Sequence, residues 1–199
     1  MSRGTPSTGL QLFGNAFDLD CHVSDLLLVL RKTEDIDFPK DKSLPDEQVL
    51  LADIHPDLTR KAFIVSLLIA LDDQFKVFCQ ILKNGTDQKL KWNDLKGTAL
   101  DRFICYSEKV CGLTLPPDEF DRQQLRGLIE VRNCIVHNNS NLDGFGKAKV
   151  IESFASRING LSIEDGYITF ALEACEECAN LVHKFMDSSY QSAMKKFPD

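Results

Sequence analysis

Between Ile64 and Leu82 the chain places Ile64, Leu67, Leu68, Leu71, Phe75, Phe78 and Leu82 at steps of three and four residues. That period puts every large apolar side chain on one stripe of an α-helix. A stripe of this width needs cover from neighbouring elements, because an isolated helix is marginal in water. The spacing predicts a helix over 58–82, with Asn84-Gly85 as its left-handed C-terminal cap. The remaining chain must then supply partners of the same kind.

It does so in several segments. The Gly-, Ser- and Thr-rich start predicts a loose N-terminus to about residue 15. The LLLVL run within Asp25–Lys32 marks the end of a first helix. TEDIDFPKDKSLPDEQ, with two prolines and many charges, reads as a surface loop. A helix is predicted over 94–110, stopping at Gly112, and another runs through LRGLIEVRNCIVH with prolines at or before its first turn. Asn138–Gly146 is a polar turn, and 147–158 a short helix. LSIEDGYITF alternates on either side of Glu-Asp-Gly, the pattern of a small hairpin. A final helix over 169–196 carries Ala171, Cys175, Cys178, Val182 and Phe185 on one face. The expected fold class is all-α, an antiparallel helical bundle with a small β-hairpin before the last helix.

At 199 residues, 43% hydrophobic and 27% charged, the chain has the balance of a globular domain with a substantial core. Its longest apolar run, Phe63 to Leu71 interrupted by Ser66, ends at Asp72-Asp73, far short of the ~20 residues a membrane span needs. MSRGTPSTGLQLFGNAF has no export-signal pattern, so the expected location is cytoplasmic. Seven cysteines, an odd number scattered through predicted helices, read as reduced buried thiols. The net charge of −7 means that any nucleic-acid binding must come from a local basic patch.

The segment EVRNCIVHNNSN contains the chain's most chemically pointed residues. Leu125, Leu128, Ile129 and Ile135 suggest a buried stripe on which Arg132 falls. An arginine keeps its charge, so it needs a carboxylate, an anionic ligand or water there. Glu130, Asn133 and His137 form a polar row at steps of three and four alongside. His137 sits at the helix end, where exposed carbonyls favour a cation, and Asn138 and Asn139 suit a cap. A histidine that exchanges protons near neutral pH and an arginine suited to phosphate can together cleave RNA without a metal. The alternative is a structural arginine bound to an acidic neighbour and a histidine that merely caps.

Arg132-Asn133-Cys-Ile-Val-His137 resembles the Arg-polar-X3-His signature of the HEPN superfamily. The likeness spans roughly Leu58 to Phe185, although only the short motif is specific. It implies a HEPN-like bundle over 58–199, preceded by an N-terminal helix and charged loop extension over 1–57. It further implies a homodimer that brings two motifs into one cleft, and a metal-independent endoribonuclease that leaves a 2′,3′-cyclic phosphate, often a toxin or phage-defence component with an antitoxin or defence partner. Arg132, His137 and Asn133 are then the catalytic candidates, with Asp72, Glu130 and Asn138 in support, Lys147 as an RNA contact, and no metal or other cofactor. Other members keep the fold without activity, which makes a non-catalytic module binding a partner protein or nucleotide the alternative. Some members carry a tyrosine two positions after the histidine; here that residue is Asn139.

The remaining candidates are weaker. By helical spacing Asp72 faces inward and Asp73 outward; Asp72 is expected either to orient Arg132 or to pair with Lys76. Cys175-Glu-Glu-Cys178 has the spacing of half a zinc site, but a second ligand pair is missing and both cysteines lie on an apolar face. His22 and His55 stand alone. Gly144-Phe-Gly146-Lys147 lacks the longer glycine pattern of a nucleotide loop.

Overall fold

The computed structural model describes residues 6–35, 46–86, 88–115 and 119–198. Six α-helices run among the described residues: α1 (Thr8–Glu34), α2 (Asp46–Thr86), α3 (Ala99–Cys105), α4 (Glu119–Asn138), α5 (Ala148–Ala155) and α6 (Leu172–Lys196). A 3₁₀ turn at Trp92–Asp94 precedes α3, and a π-helical turn at Tyr106–Val110 continues it. β1 (Leu161–Glu164) and β2 (Tyr167–Phe170) form one antiparallel hairpin, Leu161 opposite Phe170. The class is all-α with a small hairpin before the last helix, as the periodicities require.

The contacts divide the chain into two units. The first holds residues 1–22, 69–123 and 181–199. Its core is aromatic: Phe75 stacks on Phe103 with ring centres 4.4 Å apart, and Phe78 meets Tyr190 edge-on at 5.0 Å. Tyr190 is fully buried, and its hydroxyl donates to Gln74 Oε1 at 2.6 Å and accepts from Asn15 Nδ2. A buried phenol without such partners would cost a few kcal/mol, on the order of 1–3. Gly85 lies against Thr8 while Asn15 bonds Gln74, so α1 and α2 are antiparallel here. Asp20 pairs with His183 while Asn15 meets Tyr190, so α6 is antiparallel to α1 as well.

The second unit holds 23–68 and 124–180. Arg60 donates from Nε to Glu34 Oε1 at 2.5 Å, from Nη2 to Glu34 Oε2 at 2.8 Å, and from Nη1 to the Phe170 carbonyl at 2.7 Å. One guanidinium thus joins α1, α2 and the end of β2, and the Glu34 carboxylate raises its pKa further. The hairpin turns at Asp165 (φ 50°) and Gly166 (φ 82°), the left-handed pair that a two-residue Asp-Gly turn demands.

Several expectations are corrected. The N-terminus is not loose to residue 15: α1 begins at Thr8 and buries Leu12, Leu19, Val23 and Leu30. The helix predicted from 58 begins at Asp46, so the 57/58 boundary falls inside α2, which continues through Pro56. Its end is not a left-handed glycine cap. α2 continues to Thr86, whose hydroxyl donates to the Leu82 carbonyl at 2.7 Å, and Gly85 serves close approach, since a β-carbon there would sit 2.5 Å from Thr8 Oγ1. The helix predicted over 94–110 is a 3₁₀ turn, a short helix and a π turn, ended by Gly112 at φ 63°. Thr169 and Phe170 belong to β2, and α6 begins at Leu172. Most of the predicted charged loop, 36–45, and the prolines before α4 lie outside the described residues.

Gly127 of α4 gives a direct test of packing in the second unit. A β-carbon there would lie 2.6 Å from Phe154 Cβ and 2.8 Å from its ring, atoms too near the backbone to swing aside. Gly127→Ala therefore costs ~1–3 kcal/mol of overpacking, more than the helix-propensity gain of ~1 kcal/mol. Thermal denaturation is expected to show a lowered midpoint, partly restored by adding Phe154→Leu. A midpoint at or above the parent's contradicts this packing.

Candidate functional site

The last turns of α4 carry the candidate residues. The buried positions there are Gln124, Leu125, Gly127, Leu128, Val131 and Cys134. The stripe therefore runs through Val131 and Cys134, one residue off the expected path. Ile129 and Ile135 are only half-buried, and so is Arg132, which borders the core rather than lying in it. The correction lessens the cost of placing a guanidinium here without removing it, since the Arg132 Nε is itself buried.

Arg132 Nη1 donates to Asn133 Oδ1 at 3.2 Å, and Asn133 Nδ2 donates to Glu130 Oε2 at 3.3 Å. The Glu130–Asn133 step of the row read from spacing is thus a contact, with Arg132 joined to it through Asn133. His137 is exposed in the final turn. Five helical residues rotate the chain by about 140° and advance it about 7.5 Å. Arg132 and His137 therefore leave α4 on different faces.

Beyond His137 the backbone turns sharply. Asn139 (φ 48°) and Ser140 (φ 65°) are both left-handed, a conformation that asparagine tolerates better than most residues. Asn138 Nδ2 donates to the carbonyls of Asn141 and Asp143, so this expected support residue holds the turn. Ile168 N donates to Ser140 O at 2.9 Å and Leu142 N to Gly166 O at 2.8 Å, which fastens the turn to the hairpin. Lys147 is exposed at the start of α5.

Asp72 is half-buried on α2. Lys76 meets Asp73 at 4.0 Å, an exposed pair that contributes little, in place of the pairing weighed for Asp72. His183 lies within 2.7 Å of Asp20. Gly144 adopts φ 74° in an ordinary turn. No helix among the described residues is long and apolar enough to cross a membrane.

Two features escaped the sequence reading. One is Arg60, whose partner Glu34 lies 26 residues away. The other is a cleft in the first unit lined by Lys76, Lys83, Lys91 and Trp92; the lysines around Trp92 in Lys89-Leu-Lys-Trp-Asn-Asp-Leu-Lys96 were its visible signal. No family model, curated protein or solved structure matches this chain.

Cys175 and Cys178 are fully buried on α6, and burial pushes the Cys175 thiol up to about 12 and Cys178 well above its usual range. Thiolate is the reactive form, so both are protected twice, by burial and by protonation. Alkylation of the native protein with iodoacetamide at pH 8 is expected to modify the exposed Cys21 much faster than either. Equal rates at all three positions contradict the placement of α6.

Proposed function

We propose that the chain is a metal-independent endoribonuclease of the HEPN type, acting as a homodimer. The observation that carries this reading is the pairing on one braced helix end of a guanidinium positioned by an Asn133–Glu130 chain with an exposed imidazole. His137 accepts the proton of a ribose 2′-hydroxyl, whose oxygen attacks the adjacent phosphorus as the bond to the 5′-oxygen breaks. Arg132 stabilises the charge that grows on the phosphoryl oxygens. The products are a 2′,3′-cyclic phosphate and a 5′-hydroxyl, protonated by an imidazolium. Asn133 and Glu130 position the guanidinium, Asn138 fixes the helix end, and Lys147 contacts the RNA backbone. Asp72 is the acidic candidate for orienting Arg132.

The angle between Arg132 and His137 favours two copies over one. A phosphate can meet an arginine from one chain and a histidine from the other without either side chain wrapping around its own helix. Val136, 51% exposed beside His137, gives that contact an apolar component. A toxin or defence role with a regulating partner protein follows from the same reading.

A second reading rests on a different observation. Leu10, Phe13 and Phe17, each more than half exposed, share one face of α1 at steps of three and four. Such a face suits a module that binds a partner protein without catalysis.

Cleavage of a mixed RNA substrate in EDTA separates the two. The parent is expected to generate 2′,3′-cyclic phosphate ends, detectable by mass spectrometry. Arg132→Ala and His137→Ala are each expected to lose ~10²-fold or more in rate while keeping the helical circular dichroism of the parent. Undiminished cleavage by both folded variants removes the proposal.

A further inference from the structure

The cleft in the first unit shares no lining residue with the proposed nuclease chemistry, and its chemistry does not depend on that proposal. Its volume is about 400 Å³, within the range of small-molecule sites. Val77, Cys79, Ile81 and Tyr106 give it an apolar floor, while Lys76, Lys83 and Lys91 stand on its walls. Among the described residues no carboxylate lines it. Among the described residues Lys83 and Lys91 form no ion pair, and Lys76 has only the weak exposed contact with Asp73. In a chain of net charge −7, three ammonium groups around one hollow make a local positive field that selects an anion.

The wall is also polar in a specific way. Gln80 Nε2 donates to Asn84 Oδ1 at 2.9 Å, which leaves Gln80 Oε1 as an acceptor and Asn84 Nδ2 as a donor side by side. A donor beside an acceptor matches the edge of a nucleobase; a fatty acid or a bare phosphate has no use for it. Trp92 reaches the cleft with one face covered by Arg102, whose guanidinium carbon lies 4.3 Å from the ring centre. Tyr106, the first residue of the π turn, is held from behind by its hydroxyl's bond to the Leu90 carbonyl at 3.0 Å. π turns recur where a helix is bent to shape a site.

We infer that this cleft binds a mononucleotide, its base against Trp92, Val77 and the Gln80–Asn84 amides, its phosphates on Lys76, Lys83 and Lys91. Trp92 is the chain's single tryptophan, so its fluorescence reports on this place alone. The full chain is titrated with AMP, GMP, CMP, UMP and the matching triphosphates, and separately with adenosine, inorganic pyrophosphate and a U20 oligonucleotide. At least one nucleotide is expected to change the emission saturably, with Kd on the order of 10–100 μM. The Lys83→Glu/Lys91→Glu variant is expected to bind ~10-fold or more weakly with an unchanged melting temperature; Lys83→Gln/Lys91→Gln serves if the charge reversal impairs folding. Three results overturn the inference. These are no saturable change with any nucleotide to ~5 mM, pyrophosphate binding as tightly as the triphosphates, or U20 binding where no mononucleotide does. None of these readings involves RNA cleavage, so failure here leaves the nuclease proposal to its own test.

Discussion

The second unit depends on how α4 is stopped. Two consecutive non-glycine residues, Asn139 and Ser140, are held left-handed, at a cost of roughly 1–2 kcal/mol each. Around them stand the bonds from Ser140 N to Cys134 O, Asn141 N to Asn138 O, Ile168 N to Ser140 O and Leu142 N to Gly166 O, besides those from the Asn138 amide. At about 1 kcal/mol net for each bond the contacts win, but only while the hairpin is in place to receive them. Asn141 also bridges to Tyr167, so the turn behaves as a third, minimal strand on the hairpin's edge. The end of a helix, ordinarily the part that frays, is thereby fixed, and His137 is the side chain it presents.

Two arginines in this unit show what such placement achieves. Arg60 spends its fork on both oxygens of Glu34 and on the Phe170 carbonyl, and it is mostly sheltered from solvent. Its job is to tie three elements together. Arg132 stands at the core's border, linked through Nη1 to a neutral amide that is in turn bonded to Glu130.

How far the sequence revealed this depends on the element. α2 was legible because its large apolar residues keep strict helical steps, and the hairpin because Asp165-Gly166 is a turn of one type only. The start of α1 was hidden: Gly9 and Gly14 lower its helix propensity, and exposed Phe13 and Phe17 blur the stripe formed by Leu12, Leu19, Val23 and Leu30. The stripe of α4 was misplaced by one residue because Gln124 and Gly127 occupy buried positions that carry no apolar signal, while Ile129 and Ile135 at its edge do. The Glu130–Asn133 contact followed from spacing, whereas the fastening of Ser140 to Ile168 could not, since it joins segments whose meeting depends on the fold. The lysine-lined cleft was missed for a related reason. Lys76, Lys83 and Lys91 are scattered in sequence and converge only when α2 lies beside the segment before α3.

The claim most exposed to refutation is that Arg132 and His137 belong to a single binding place for a ribonucleotide phosphate. Nuclear magnetic resonance of the labelled protein, titrated with a dinucleotide whose 2′-oxygen is methylated to prevent cleavage, addresses it directly. The expected result is that the Arg132 Nε–H and His137 ring signals move together and saturate at the same ligand concentration. If only one of them responds, or neither does while the rest of the spectrum stays that of the folded chain, the two residues do not form a site.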